Sequence, residues 1–153
     1  MISENVALSN KQIGGEVPMV ANEITEHCMY SGLFGALDSA RISAISDKLT
    51  ALADSSEVNC AIIDLANVEA IDSSIAGQLI KIAQILEMVG VTSIFCGISG
   101  ELAKTMVMAG VDIGGFLAVR DLKAALIKSF RISGYRLVQQ KGHSEIIAQD
   151  SNS

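Results

Sequence analysis

The groups best suited to chemistry in this 153-residue chain are Asp72, Ser73 and Ser74. They stand between an apolar run, 58–65, and an amphipathic segment that begins at Ile75. A hydroxyl or carboxylate at the start of a helix can cap the first N–H groups, which have no intrahelical partner. The helix dipole also favours negative charge there. Capping by one of the three accounts for them in the bland reading. In the functional reading a partner kinase modifies a hydroxyl, and the added charge changes what the surface binds. Ser99 and Thr105 come next in the chain, near the start and on the body of a second short helix. Thr105 reads first as a solvent-side polar residue and second as another site of modification.

Other chemistries find less support. Asp64, in the apolar run, and Asp72 would make an acidic pocket of the phospho-receiver kind. That chemistry also needs a paired acid near the first strand and a Lys near the last, and neither is evident. Asp72 is more simply a helix-terminal acid. The strand-to-helix turns ANVEAIDSS and GISGE match neither GxGxxG nor the Walker pattern. His27, expected in a strand, and His143, in the tail, read as ordinary residues. No Ser-His-acid or Cys-His arrangement can be drawn from the chain. Cys28, Cys60 and Cys96 each lie in or beside an apolar segment and lack metal-site or CxxC spacing. They read as reduced core residues. These observations imply no enzyme, no cofactor and no metal. A small nucleotide-binding α/β protein is the lesser alternative.

The elements that must position the three residues follow from periodicity. Val58 to Leu65 is apolar apart from Asn59 and Asp64, as expected of a strand covered on both faces. Ala66 to Asp72 reads as a connection. Ile75, Leu79, Ile82 and Leu86 then recur at helical spacing, with Ala76 and Ala83 widening the stripe and Gly90 at the end. Upstream, 17–21 with Pro18 reads as an edge strand or a strand start, 23–26 as a turn and 27–34 as a second strand. Asp38 or Ser39 caps a helix whose stripe is Ile42, Ile45, Leu49 and Leu52. Downstream, 91–96 is a strand and 97–100 a tight turn. A helix at 101–109 turns Leu102, Met106 and Ala109 inward. Residues 111–115 form a loop and 116–119 a short last strand. Asp121 caps a helix with Leu122, Ala125, Leu126 and Phe130 along one side. Beyond Phe130 the helix either continues or breaks at Gly134, and 142–153 reads as a disordered tail. The order β-β-α-β-α-β-α-β-α predicts a small, mostly parallel β-sheet with helices packed on it, of class α/β.

Composition bounds the rest. The length suits one domain, 17–130, with an arm at 1–16 and an extension at 131–153. A chain this long buries roughly two-thirds of its unfolded surface, so it needs no covalent staple. The formal charge is −6 with no basic cluster, which argues against nucleic acid. No apolar run approaches the ~20 residues that cross a bilayer. No secretory pattern opens the chain. These features together predict a cytoplasmic protein.

From IDLANVEAIDSS (63–74) the chain resembles the STAS domain family, the fold of the anti-sigma-factor antagonists. VGVTSIFCGISGELAKTMVMAGVD (89–112), VPMV (17–20) and GALDSAR (35–41) extend the resemblance to stressosome scaffold proteins, over about 17–130. The short, RsbS-type subunit is the more similar in size, whereas GALDSAR is closer to the sensor-type paralogues. The resemblance implies a phosphorylated serine at Ser73 and a second modified site at Thr105, with Asp72, Ser73 and Ser74 meeting the partner. It implies a serine/threonine kinase of the anti-sigma or switch-kinase type, a PP2C-type phosphatase and sensor-type STAS paralogues as partners. A homo- or hetero-oligomer follows, with Ile80 and Ile85 as apolar residues available for contacts between subunits. The alternative is a free-standing anti-sigma-factor antagonist.

Overall fold

The apolar run at 60–65 becomes the centre of the sheet. The computed structural model of the protein describes residues 17–110, 116–140 and 143–147. Its elements are β1 (Met19–Thr25), β2 (Cys28–Ala36), α1 (Ser39–Ser55), β3 (Cys60–Ala70), α2 (Ser73–Met88), β4 (Thr92–Cys96), α3 (Gly100–Met108), α4 (Leu122–Ile132), β5 (Arg136–Gln140) and β6 (His143–Ile147). The main sheet has the order β1-β2-β3-β4. β1 is antiparallel to β2, and β3 runs parallel to both β2 and β4. The expected α/β class and mostly parallel sheet are therefore present.

Two cores explain why β3 is apolar at successive positions. Ala61, Ile63 and Leu65 face a core shared with α1, α2 and α3. Cys60 and Ile62 face the opposite core, where Ala125 of α4 packs with Cys28, Ile94 and Cys96. Side chains alternate across a strand, so a strand sandwiched between helices cannot show a polar face. Ile42, Ile45 and Leu49 of α1 and Ile75, Leu79, Ile82 and Leu86 of α2 are all buried, as their spacing predicts. Each such side chain contributes roughly 1.5–3 kcal/mol by leaving water. All three cysteines are buried and free.

Each of these helices begins at a side chain that accepts from its first turn. Asp38 accepts from Arg41 N, Asp72 from Ile75 N, Ser99 from Leu102 N and Asp121 from Ala124 N. Caps of this kind are worth about 1 kcal/mol each. Asp38, not Ser39, is thus the cap of α1.

Several boundaries differ from expectation. β3 continues through Ala70, across most of the expected connection. Asn67, Val68 and Ala70 pair with Phe34, Gly35 and Ala36 of β2, while residues 66, 67, 69 and 70 are exposed. Backbone pairing beyond the core leaves no apolar signature. β1 likewise runs to Thr25, so the turn contracts to Glu26–His27 and His27 leaves the strand. Its Nε2 lies 3.3 Å from Glu26 Oε1. The expected strand at 116–119 is a single bridge, Ala118 to Phe95. Leu122 is exposed at the first turn of α4 rather than turned inward. α4 ends at Ile132, Gly134 adopts φ 87°, and the antiparallel pair β5–β6 follows, reaching into the stretch expected as a tail. Nothing in the composition of that stretch announces strands. The arm at 1–16, the loop at 111–115 and the tail at 148–153 lie outside the described residues.

Gly97 shows how tightly the ends of β3 and β4 approach. Its φ is +72°, and a Cβ there would lie 2.7 Å from Asp64 Oδ1 and 2.8 Å from Ala66 N. A left-handed backbone costs a side-chain residue roughly 1–2 kcal/mol. The collision with backbone adds overpacking of typically 1–3 kcal/mol. Gly97→Ala should therefore destabilise the protein by about 2–5 kcal/mol in chemical denaturation. A loss below about 0.5 kcal/mol, within the usual range of surface substitutions, would show that the approach is not tight.

Candidate functional site

The site is built at the carboxyl end of β3. In parallel α/β sheets this is where chain ends, loops and helix N-termini converge. β3 extends past the core and delivers Ile71 and Asp72 to the start of α2. Asp72 has extended backbone dihedrals, φ −98° and ψ 179°, which stop the helix from starting earlier. Its Oδ1 accepts from Ile75 N at 3.0 Å and from Ser74 Oγ at 2.7 Å. The Ser74 bond, followed by the Ile75 amide, holds the Asp72 carboxyl below its usual range. The carboxylate is thus ionised at neutral pH.

Ser73 occupies the first helical position. Asp72, Ser73 and Ser74 are all exposed. The two serines differ in one respect. Ser74 spends its hydroxyl on Asp72, while Ser73 Oγ has no hydrogen-bond partner among the described residues. Capping therefore accounts for Asp72 and Ser74 and leaves Ser73 without a structural task.

Thr105 lies in a different setting. It is half-buried on α3, and its Oγ1 donates to Glu101 O at 3.0 Å. It helps to line a cleft of about 390 Å³ between the end of β3 and α3, with Ile71, Ser99 and Lys104 among the other walls. Ser73 instead lines a groove of about 570 Å³ along α2. Ile71 reaches the Thr105 cleft and Ser73 follows two residues later, so the two depressions adjoin the same stretch of chain.

Asp64 and Asp72 do not share a pocket. Asp64 is 8% exposed and accepts from Tyr30 Oη at 2.8 Å on one oxygen and from Ala66 N at 3.0 Å on the other. Burial and then the bond to Asp64 push the Tyr30 phenol up. Burial, reinforced by Asp64, pushes the Cys96 thiol up to about 12. Cys28 and Cys60 lie in register on β2 and β3. Their mutual hydrogen bond, followed by burial, raises the Cys60 thiol. The same bond lowers the Cys28 thiol, so the two sulfurs of this buried pair are pushed in opposite directions. Tyr30 as the partner of Asp64 was not legible in sequence. The two are 34 residues apart, and only the parallel register brings them together.

No set of His, Cys, Asp and Glu among the described residues is arranged to hold a metal ion. No described helix is long and apolar enough to cross a membrane. Ile80 is half-buried against the main core, and Ile85 is 40% exposed.

The comparisons with known proteins bear on the family and the fold. The RsbT co-antagonist protein RsbRB of Bacillus subtilis is 31% identical over 94 residues, which are 61% of this chain and 34% of that protein. The chain thus spans about a third of the length of that relative. A single-residue variant of RsbS from Moorella thermoacetica superposes with a TM-score of 0.65 at 19% identity, over 75% of this chain and 97% of that one. A chain from the molecular architecture of the stressosome, a signal integration and transduction hub, gives a TM-score of 0.59 at 20% identity, over 74% and 97% of the two chains. At these identities the structures speak for the fold. The model of the STAS domain matches residues 19–125, well over half of the chain, and the protein belongs to the STAS domain family.

Proposed function

We propose that this STAS protein is a non-enzymatic scaffold subunit of a stressosome in bacterial stress signalling, cytoplasmic and switched by phosphorylation of Ser73. In this reading residues 17–130 are the working domain, and 1–16 and 131–153 are extensions of it. The partner held and released is a serine/threonine kinase of the switch-kinase type, and a PP2C-type phosphatase resets the site. Sensor-type STAS paralogues complete the assembly. The relative named as an RsbT co-antagonist supports this choice of partner class over a nucleotide or metabolite.

One observation carries the proposal. Ser73 Oγ is exposed and unbonded, while the residues on either side of it bond to each other. A kinase can reach it without breaking the cap of α2. Phosphorylation adds about 1.5–2 negative charges. The N-terminus of α2 tolerates that charge, because its N–H groups and dipole favour anions. Asp72 is already ionised beside it. The free protein is therefore little disturbed, while a partner seated over Asp72, Ser73 and Ser74 meets a concentrated negative patch. Like charges facing one another across an interface cost several kcal/mol. Release follows from electrostatics, with no catalytic group in this chain. Thr105 is the second site in this reading. Its hydroxyl must first leave the Glu101 carbonyl, so its modification is slower than that of Ser73.

Incubation with the cognate kinase and ATP, followed by mass spectrometry, should place the first phosphate on Ser73, and Ser73→Ala should lose it. Full labelling of Ser73→Ala at another residue would reject the assignment.

The division of labour between the serines has its own test. The Asp72 pKa is lowered in the folded state, so its contribution to stability is present above the unfolded carboxylate pKa near 3.8 and is lost as pH falls through the lower folded value. In an NMR titration Asp72 should have its midpoint below 3.8, and Ser74→Ala should move it up whereas Ser73→Ala should not. Equal shifts from both variants would remove the distinction between them.

Scaffold and free antagonist separate by size. Light scattering of the chain mixed with a sensor-type paralogue should show a large assembly. A monomer under both conditions would favour the free-standing antagonist.

A further inference from the structure

The groove along α2 contains two features that packing does not explain. The first is Gly77, which sits well inside the helix. Glycine is less favourable than alanine in a helix interior. Its backbone is not in the left-handed region, and an added Cβ would meet nothing within 4 Å. Neither a turn nor a close approach calls for it. Its physical consequence is a gap in the wall of the groove.

The second feature is Ser93 on β4, which lines the same groove. Ser93 is 8% exposed, and its Oγ has no hydrogen-bond partner among the described residues. A buried hydroxyl without a partner loses the bonds it made to water, at a real cost. Nearby, the ring of Phe116 stacks on Phe95 at 4.2 Å and presents a flat apolar surface to the groove, with Ile80 on the helix side. The volume of about 570 Å³ falls in the range of sites that take small molecules.

Charge orders the groove along its length. Among the described residues Lys81 is its single cation and Glu87 its single anion, and Lys81 lies nearer the N-terminus of α2. Six residues of helix separate them by ~9 Å. The dipole adds positive potential at the Ser73 end. Lys81 has no ion pair among the described residues.

From these observations we infer that the groove between α2, β4 and Phe116 is a binding site for a small, flat amphiphile, with its ring against Phe116 and Ile80, a polar atom at Ser93 Oγ and an anionic group at Lys81. Gly77 keeps the entrance open. The site stands whether or not Ser73 is modified. Only one consequence rests on the proposed function: because Ser73 and Ser74 form one end of the groove, an occupant would meet a partner docked there.

The probe is 1-anilinonaphthalene-8-sulfonate, an aromatic ring system carrying a sulfonate. It is titrated into the full chain by fluorescence with no kinase or ATP, so a failure of the Ser73 assignment cannot affect the result. Saturable binding to the wild type is expected. Gly77→Ala should retain it. Gly77→Leu should weaken it by about tenfold or more by filling the groove. Lys81→Glu should weaken it too. Circular-dichroism melts of both Gly77 variants should be unchanged or raised, since each residue favours helix over glycine, which separates a blocked site from a failed fold. Met88 and Met108 are 87% and 85% exposed at the far ends of α2 and α3 and are the competing apolar surface. Met88→Ser with Met108→Ser should leave binding intact. Absence of saturable binding, wild-type affinity in Gly77→Leu, or loss of binding in the methionine double variant would each overturn the site.

Discussion

The site depends on one carboxylate that serves two neighbours. Asp72 Oδ1 accepts from the Ile75 amide and from the Ser74 hydroxyl, and this fixes where α2 begins. The helix start in turn determines which serine is used and which is free. If the helix began one residue later, Ser73 would stand in the capping position and its oxygen would be committed to the first turn. The hydroxyl that carries the functional reading is therefore available because a stronger acceptor precedes it. The same carboxylate supplies the standing negative charge beside which a phosphate would be felt.

That arrangement needs a rigid support, and the pairing of β3 with β2 and β4 provides it. Asp64 is held on both oxygens, by Tyr30 from β2 and by the amide of Ala66. Gly97 lets the chain leave β4 within contact distance of that carboxylate. β3 can then run on for five residues beyond Leu65 while paired to β2, so Asp72 is reached along a strand rather than through a loose loop. A switch that works by charge needs this stiffness. A phosphate on a mobile loop would be free to turn away from its partner, and the electrostatic penalty would be averaged out.

Periodicity made legible the parts of the fold that are buried. The stripe of α2 and the doubly covered strand at 60–65 follow from apolar spacing, because burial selects side chains at those positions. The extension of β3 over 66–70 was not legible, since a strand that leaves the core is held by backbone bonds that carry no side-chain signal. The expected strand at 116–119 shows the reverse error. Phe116, Leu117 and Val119 are apolar because they pack against both cores, and only Ala118 pairs with the sheet. At the site, Asp-Ser-Ser before an amphipathic run marked the helix start. Which of the three residues caps, and which oxygen stays free, depends on hydrogen bonds that spacing leaves open. The glycine inside the α2 pattern acquires meaning only beside Ser93 and Phe116, which line the same groove.

The two cores limit where such a protein can interact. One face of the sheet is covered by α1, α2 and α3 and the other by α4, and the cysteines of the second face are buried and free. Most of β3 and β4 is packed beneath these helices. What remains is the carboxyl edge of the strands, where Ser73 and the Thr105 cleft lie, and the groove between α2, β4 and Phe116. Both are governed by the same helix. A ligand along its length and a phosphate at its tip would therefore act on one rigid body, and neither would have to be relayed through the packed interior.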